Sequence, residues 1–211
     1  MIVKDVLKAG YRDIVQQAAV IVAKINKSSS KWLIRVNGEM KKVYGKKMAL
    51  LPLMEVRWNS AQQLLASLLR VKSALISFHT RYCDDEKFLT EFEPLGDTQF
   101  WKRVARAENS MVPLTKASFI MQKNETSLAH VFVMYGLMYR SFKADDMYGD
   151  TFIHLLEKSF EKEEIPLLLL AVVLHPVSYS YFSELSAQSS KSMHEKSFLC
   201  SVAVLYYKKF I

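Results

Sequence analysis

The sequence is poor both in residues that break regular structure and in residues that cross-link it. Its 211 residues include only six glycines and five prolines. No low-complexity tract interrupts them, which excludes a globally disordered chain. The two cysteines, Cys83 and Cys200, lie far apart and match no metal-binding or redox spacing. Such sparse use of cysteine indicates an intracellular, reducing compartment rather than a disulfide-bonded secreted domain.

Long apolar runs and catalytic signatures are also missing. The longest apolar run, residues 165–174, is too short to span a bilayer, so no membrane association is predicted. The histidines lack an HExxH or HxxxH spacing, and there is neither a glycine-rich phosphate loop nor a GxSxG turn. The paired aspartates, Asp84-Asp85 and Asp145-Asp146, are interpreted as solvated loop residues. The sequence therefore predicts no enzymatic activity, no metal ion or other cofactor, and no small-molecule substrate.

What the chain does have is apolar residues at helical spacing along most of its length. They predict helices over residues 3–26, over 31–44 with Gly45 ending the second, and over 59–78 with Asn59 or Ser60 as N-cap. The fold class predicted is all-α, an irregular array of about seven to nine helices, with at most a short strand near residues 50–57. Residues 1–211 are expected to form a single helical domain, with a sub-domain boundary near 84–96.

Positive charge is concentrated at one end of the sequence. The net charge of +8 arises entirely in residues 1–58, which hold 12 Lys and Arg against 4 Asp and Glu. Residues 59–211 hold 17 of each. A polyanion would be attracted to the N-terminal quarter, and a basic face that only keeps the protein soluble is the other interpretation.

The basic segment also contains an aromatic residue next to an arginine. Lysines can neutralise phosphates without reading sequence, and an Arg-Trp pair can bind a phosphate and stack on a base. A buried Trp beside a surface Arg would give the same pattern. The residues predicted to contact nucleic acid are Arg35, Lys41, Lys42, Lys46, Lys47, Arg57 and Trp58.

The segment that contains this pair resembles a segment of a known family. Val56-Arg57-Trp58-Asn59-Ser60 precedes an apolar helix that ends in Arg70-Val71-Lys72-Ser73-Ala74-Leu75. The first of these resembles the TRWNS segment of hAT-superfamily DNA transposases. Phe100-Trp101, Met111-Val112-Pro113-Leu114 and Ser127-Leu128-Ala129-His130-Val131 follow in the same order as the FW, LPL and TLADV stretches of those proteins.

Two later stretches extend the resemblance to most of the chain, roughly residues 10–210. Leu174-His175-Pro176 is similar to the LDP segment of these transposases, with His in place of the usual Asp, and Tyr206-Tyr207-Lys208-Lys209-Phe210 matches an aromatic-basic stretch. The ordered series is more specific than any of its members.

The resemblance implies a position within a larger enzyme. These transposases have a ribonuclease-H-like core with an Asp-Asp-Glu metal site, interrupted by an all-helical insertion. The present chain resembles that insertion, so the first two catalytic aspartates would lie before Met1 and the catalytic glutamate beyond Ile211. Arg57 and Trp58 carry over as DNA-contacting residues, and cut-and-paste activity is expected to be absent.

Three hypotheses follow. The first is a catalytically incomplete, transposase-derived protein that binds DNA with low specificity through its basic quarter, in the nucleus or elsewhere inside the cell. The second is a helical protein-interaction module, with a protein partner or self-association and no DNA binding. The third is an intact nuclease, which would require carboxylates from separate elements to converge on a metal ion.

Overall fold

The computed structural model describes residues 5–28, 30–54, 59–124 and 126–160, and in these ranges the chain is helical with no strand. This confirms the predicted all-α array. The chain divides into two compact units, the first extending to Thr115 and the second beginning at Lys116. Residues 84–96, the predicted sub-domain boundary, belong to the first unit. The Leu174-His175-Pro176 and Tyr206-Tyr207-Lys208-Lys209-Phe210 stretches of the resemblance lie outside the described residues.

The helices are numbered in chain order. The first unit contains a π-helical turn, Leu7–Tyr11, then α1 (Arg12–Lys27), α2 (Trp32–Tyr44), α3 (Ser60–Arg70), α4 (Lys72–Tyr82), a 3-10 helix (Thr90–Gly96) and the start of α5 (Thr98–Met121). The second unit contains the end of α5, then α6 (Leu128–Lys143) and α7 (Gly149–Phe160). None of the helices in the described ranges is both long and apolar enough to cross a membrane.

Helix α2 begins and ends where its sequence predicts. The Ser28 hydroxyl oxygen accepts a hydrogen bond from the Trp32 backbone N–H at 3.1 Å, which satisfies one of the unpaired donors at a helix start. At the other end Gly45 adopts a left-handed conformation with φ 72°. Its N–H donates to the Lys41 carbonyl at 2.9 Å, as expected for a glycine that ends a helix.

The single helix predicted over 59–78 is wrong, because the chain forms α3 and α4 with a break at Val71. Val71 leaves helical geometry (φ −112°, ψ 15°), and its N–H bonds to the Leu68 carbonyl. Periodicity misses this break because Leu68, Val71 and Leu75 are all buried. Ser60 also differs from a simple N-cap, since its hydroxyl donates to the Met54 carbonyl and accepts from the Met54 N–H.

An aromatic cluster forms the centre of the first unit. The ring of Trp32, on α2, meets Phe78 of α4 and Phe88 and Phe92 of the following segment edge to face, with centroids 5.7–5.9 Å apart. Such pairs contribute about 0.5–1.5 kcal/mol each beyond the area they bury. Trp32 is buried, so it is a packing residue and holds α2 against α4.

Helix α5 is joined to the first unit by polar side chains along its first half. The Trp101 indole N–H donates to the Leu95 carbonyl at 2.9 Å. Farther along, Gln62 bonds to Glu108 at 2.6 Å and the Tyr11 hydroxyl lies 2.9 Å from that of Ser110. The helix continues through Pro113, where a missing N–H removes one helical hydrogen bond, and the division between the two units follows two residues later.

The described part of the second unit is a helical hairpin. Helices α6 and α7 pack through Phe142 and Phe152, whose ring centroids are 5.3 Å apart. The Asp145 carboxylate accepts from the N–H groups of Met147 and Tyr148 at 3.0 and 3.1 Å. Asp145 is therefore a turn-forming residue that sets up the start of α7.

Candidate nucleic-acid interface

The two residues that carry the transposase resemblance most directly are not placed by the structure. Arg57 and Trp58 lie outside the described residues, so their contact with nucleic acid stays a prediction. The remaining predicted residues, on and just after α2, are all described. They divide into those that other side chains already hold and those that point to solvent.

Arg35 is held within the protein. Its Nη1 donates to the Asp85 carboxylate at 2.7 Å, and its guanidinium lies over the rings of Trp32 and Tyr82 at 5.0 and 4.5 Å. Both the ion pair and the stacking use the groups that would bind a phosphate. The prediction of Arg35 as a nucleic-acid contact is not supported by this geometry, which assigns it to joining α2 to the segment after α4.

Asp85 differs from the solvated loop residue that was predicted for both members of the Asp84-Asp85 pair. It accepts hydrogen bonds from Arg35, from the Lys87 N–H at 2.9 Å and from Lys31 Nζ at 3.1 Å. These donors stabilise the charged form, and together they hold the pKa of Asp85 well below its usual range, with Arg35 the largest contributor. The solvated interpretation of Asp85 is therefore wrong, because two basic residues of the N-terminal quarter surround it.

Lys42 is also paired, although its side chain is half exposed. Its Nζ lies 2.8 Å from the carboxylate of Glu39, which is buried. The Ser77 hydroxyl donates to Glu39 at 2.9 Å, and Arg81 Nε lies 3.3 Å away. Burial raises the pKa of Glu39, but the hydrogen bonds from Lys42 and Ser77 and the charge of Arg81 outweigh it, so the net pKa is lowered.

Three of the predicted lysines remain open to solvent. Lys41, Lys46 and Lys47 are exposed, and none of them forms an ion pair with a carboxylate of the described residues. They cluster at the C-terminal end of α2, where cations also favour the helix dipole. These lysines can therefore stabilise the helix and still offer their ammonium groups to a phosphate.

A fourth cation joins this cluster from a distant part of the sequence. Arg70, at the end of α3, is exposed, and its Nη2 donates to the Ala49 carbonyl at 3.1 Å. The same two regions meet again where the Ser73 N–H donates to the Tyr44 hydroxyl at 3.2 Å. We call Lys41, Lys46, Lys47 and Arg70 the basic surface. The sequence did not identify Arg70 as part of this surface, because its contact with Ala49 joins residues that are far apart in the chain.

Some cations of the basic N-terminal quarter form ion pairs with acidic residues from the rest of the sequence. Glu91, from the region with no net charge, pairs with Lys24 at 2.9 Å, just as Asp85 pairs with Lys31 and Arg35. The pKa of Glu91 is lowered, chiefly by the hydrogen bond from Lys24. Three cations of α1, α2 and the residue before α2 thus have carboxylate partners, whereas the lysines of the basic surface have none among the described residues.

A groove of about 300 Å³ opens beside the basic surface, between the end of α1, helix α2 and the segment that follows it. The Asn26 side chain donates to the Leu50 carbonyl at 3.1 Å and holds this segment across the groove. Polar residues Asn26, Asn37 and Lys47 share the lining with the apolar side chains of Leu33, Met40, Met48, Ala49 and Leu50. The groove therefore offers both polar and apolar contacts.

Within the ranges that the structure describes, no group of three His, Cys, Asp or Glu side chains could hold a metal ion. No protein-family model, no curated protein and no solved structure matches this chain.

Proposed function

We propose that this protein binds nucleic acid without catalysing a reaction on it, through the basic surface and through Arg57 and Trp58. The observation that carries the proposal is that Lys41, Lys46 and Lys47 are exposed and form no ion pair with a carboxylate of the described residues, while neighbouring cations do. Cations without internal partners are free to replace the counterions of a phosphate backbone. Their contacts are with phosphates, so the binding has low sequence specificity.

The ordered motif series supports a second part of the proposal, that the chain derives from the helical insertion of a hAT transposase. Ser60, the last residue of the RWNS segment, begins α3, which puts the Arg-Trp pair directly before a helix. A protein of this origin that binds DNA would act in the nucleus or elsewhere inside the cell. The alternative of a helical protein-interaction module predicts no affinity for nucleic acid.

Replacing Lys41, Lys46 and Lys47 together by Ala should weaken DNA binding and lower its salt dependence. Each lysine-phosphate contact on duplex DNA contributes about 0.9 to the slope of log affinity against log salt, so the slope should fall by about 2–3. Fluorescence anisotropy with a labelled duplex and a labelled single strand, titrated between low and physiological salt, measures both quantities.

Trp58→Ala should weaken single-strand binding by about 1–3 kcal/mol if the ring stacks on a base. The same anisotropy titration with the labelled single strand measures this loss.

A matched control removes the same charge elsewhere. Lys102, Lys116 and Lys123 are also exposed, and their triple Ala variant should keep the wild-type slope. Equal losses in both triple variants would mean that only net charge matters. Absence of binding by the wild-type protein at low salt would rule out the proposal and favour the interaction module, and metal-dependent cleavage of the labelled DNA would point to a nuclease.

A further inference from the structure

The groove beside the basic surface has polar groups that the protein itself leaves available. The side-chain amide of Asn37 is half-buried in it and has no hydrogen-bond partner in the described parts of the chain. An amide offers both a donor and an acceptor. Asn26 uses its Nδ2 on the Leu50 carbonyl, and its Oδ1 remains as a second acceptor.

The cation at the groove belongs to the basic surface as well. Lys47 lines the groove and is exposed, so its ammonium group can reach an anion at the groove mouth. The next residue, Met48, donates its backbone N–H to the Met40 thioether at 3.5 Å. Sulfur is a weak acceptor, so this N–H can exchange it for a better acceptor on a ligand.

The apolar part of the lining is adaptable. Leu33 and Met48 contribute half-buried side chains to the groove, and a methionine side chain can rearrange around flat ligands of different outline. The volume of about 300 Å³ is at the lower end of the range for small-molecule sites, about 300–1,000 Å³. A planar ring with polar edges and an attached anion matches this combination of size, apolar contact, amides and one cation.

We propose that the groove binds one unpaired nucleotide of a strand held on the basic surface. Lys47 contacts the phosphate, the Asn37 amide bonds to polar atoms on the edge of the base, and Leu33 and Met48 contact the base. Amides are suited to base edges because they present a donor and an acceptor side by side. This inference rests on the proposed nucleic-acid binding and adds that the bases, as well as the phosphates, are contacted.

Two single strands of equal length, one of deoxythymidylate and one of abasic sugar-phosphate, separate base contacts from phosphate contacts. The wild-type protein should bind the base-bearing strand about tenfold more tightly, which corresponds to about 1.4 kcal/mol. Asn37→Ala should remove most of this difference and leave affinity for the abasic strand unchanged. Ala49→Phe, which places a ring in the groove from its exposed rim, should have the same effect.

Asn109→Ala is the matched control, because Asn109 is an exposed asparagine on α5 and should keep the tenfold preference. Circular dichroism checks that each variant is folded. Titration with free thymidine monophosphate, followed on the Asn37 side-chain NH2 signals by NMR, tests the groove without a strand.

The outcomes separate the two proposals. Equal affinity for both strands, with unchanged Asn37 signals, would overturn the groove site while leaving phosphate binding intact. Absence of strand binding together with shifted Asn37 signals would overturn the proposed function and keep the groove as a mononucleotide site. Signals that shift equally with inorganic phosphate would show an anion site and overturn base recognition.

Discussion

Two glycines, Gly38 inside α2 and Gly45 directly after it, differ in the backbone conformation that they adopt. Gly45 has φ 72°, a conformation that costs residues with a Cβ about 1–2 kcal/mol. Gly38 lies inside the same helix, and a Cβ added there would meet nothing within 4 Å. A glycine inside a helix is less favourable than alanine by about 0.8–1.0 kcal/mol, so Gly38 lowers the stability of α2 and no packing in the described chain requires it.

The two Gly→Ala substitutions should therefore change the free energy of unfolding in opposite directions. Gly45→Ala should destabilise the protein by about 1 kcal/mol because a left-handed residue ends the helix. Gly38→Ala should stabilise it by a similar amount, since alanine has the higher helix propensity. Urea denaturation followed by circular dichroism measures both. A loss of stability in Gly38→Ala would contradict the open space found around this residue.

At the scale of secondary-structure elements, the hairpin of α6 and α7 depends on a close approach at its turn. A Cβ on Gly149, the first residue of α7, would lie 2.6 Å from the Phe142 carbonyl oxygen. The clashing atom belongs to the backbone, which cannot move aside as easily as the end of a flexible side chain. Gly136, in the middle of α6, has open space at the corresponding position, so only one of the two glycines is required by packing.

Gly149→Ala should loosen the hairpin at a cost of about 1–3 kcal/mol, the range for overpacking a tight contact. Gly136→Ala, the control within the same hairpin, should stabilise α6 by about 1 kcal/mol. Hydrogen exchange of peptides from residues 128–160 measures the hairpin separately from the first unit. Unchanged protection in Gly149→Ala would mean that α7 can shift without cost and would count against the close contact.

Helix ends were predictable where a local capping residue forms them. They were missed where packing against distant residues determines them. Gly45 ends α2 through a local hydrogen bond to the Lys41 carbonyl, and the sequence identifies this glycine as the end of the helix. The break at Val71 has no such local marker. It orients α3 and α4 so that Leu68 and Leu75 are both buried, and that orientation depends on residues far away in the chain.

At the scale of the whole molecule, three carboxylates make folding sensitive to acid. Asp85, Glu39 and Glu91 have lowered pKa values because basic partners stabilise their charged forms. A carboxylate with a lower pKa in the folded state stabilises the fold at pH values above its unfolded pKa, which is about 4. This contribution is lost as the pH falls below that value towards the folded pKa.

The melting temperature should therefore fall as the pH is lowered from about 5 to about 2. Asp85→Asn should melt below the wild-type protein at pH 7, and the difference should shrink in acid, where the wild-type carboxyl is also neutral. Asp84→Asn removes a charge from the neighbouring residue, which has no ion pair in the described structure, and should track the wild-type curve. A difference between Asp85→Asn and wild type that stays constant with pH would contradict the ion-pair explanation.

The sequence by itself determined the all-α class, the ends of α2 and the excess of positive charge in the first 58 residues. These features depend on local hydrogen bonding, on helical periodicity and on composition, which need no knowledge of distant contacts. Only the tertiary structure decided which cations are available. Asp85 pairs with Arg35 and Lys31, Glu91 pairs with Lys24, and Arg70 contacts the segment after α2. Electrostatic interactions depend on distance in space. The carboxylates that pair with a lysine or arginine therefore cannot be identified from the residues next to it in the sequence.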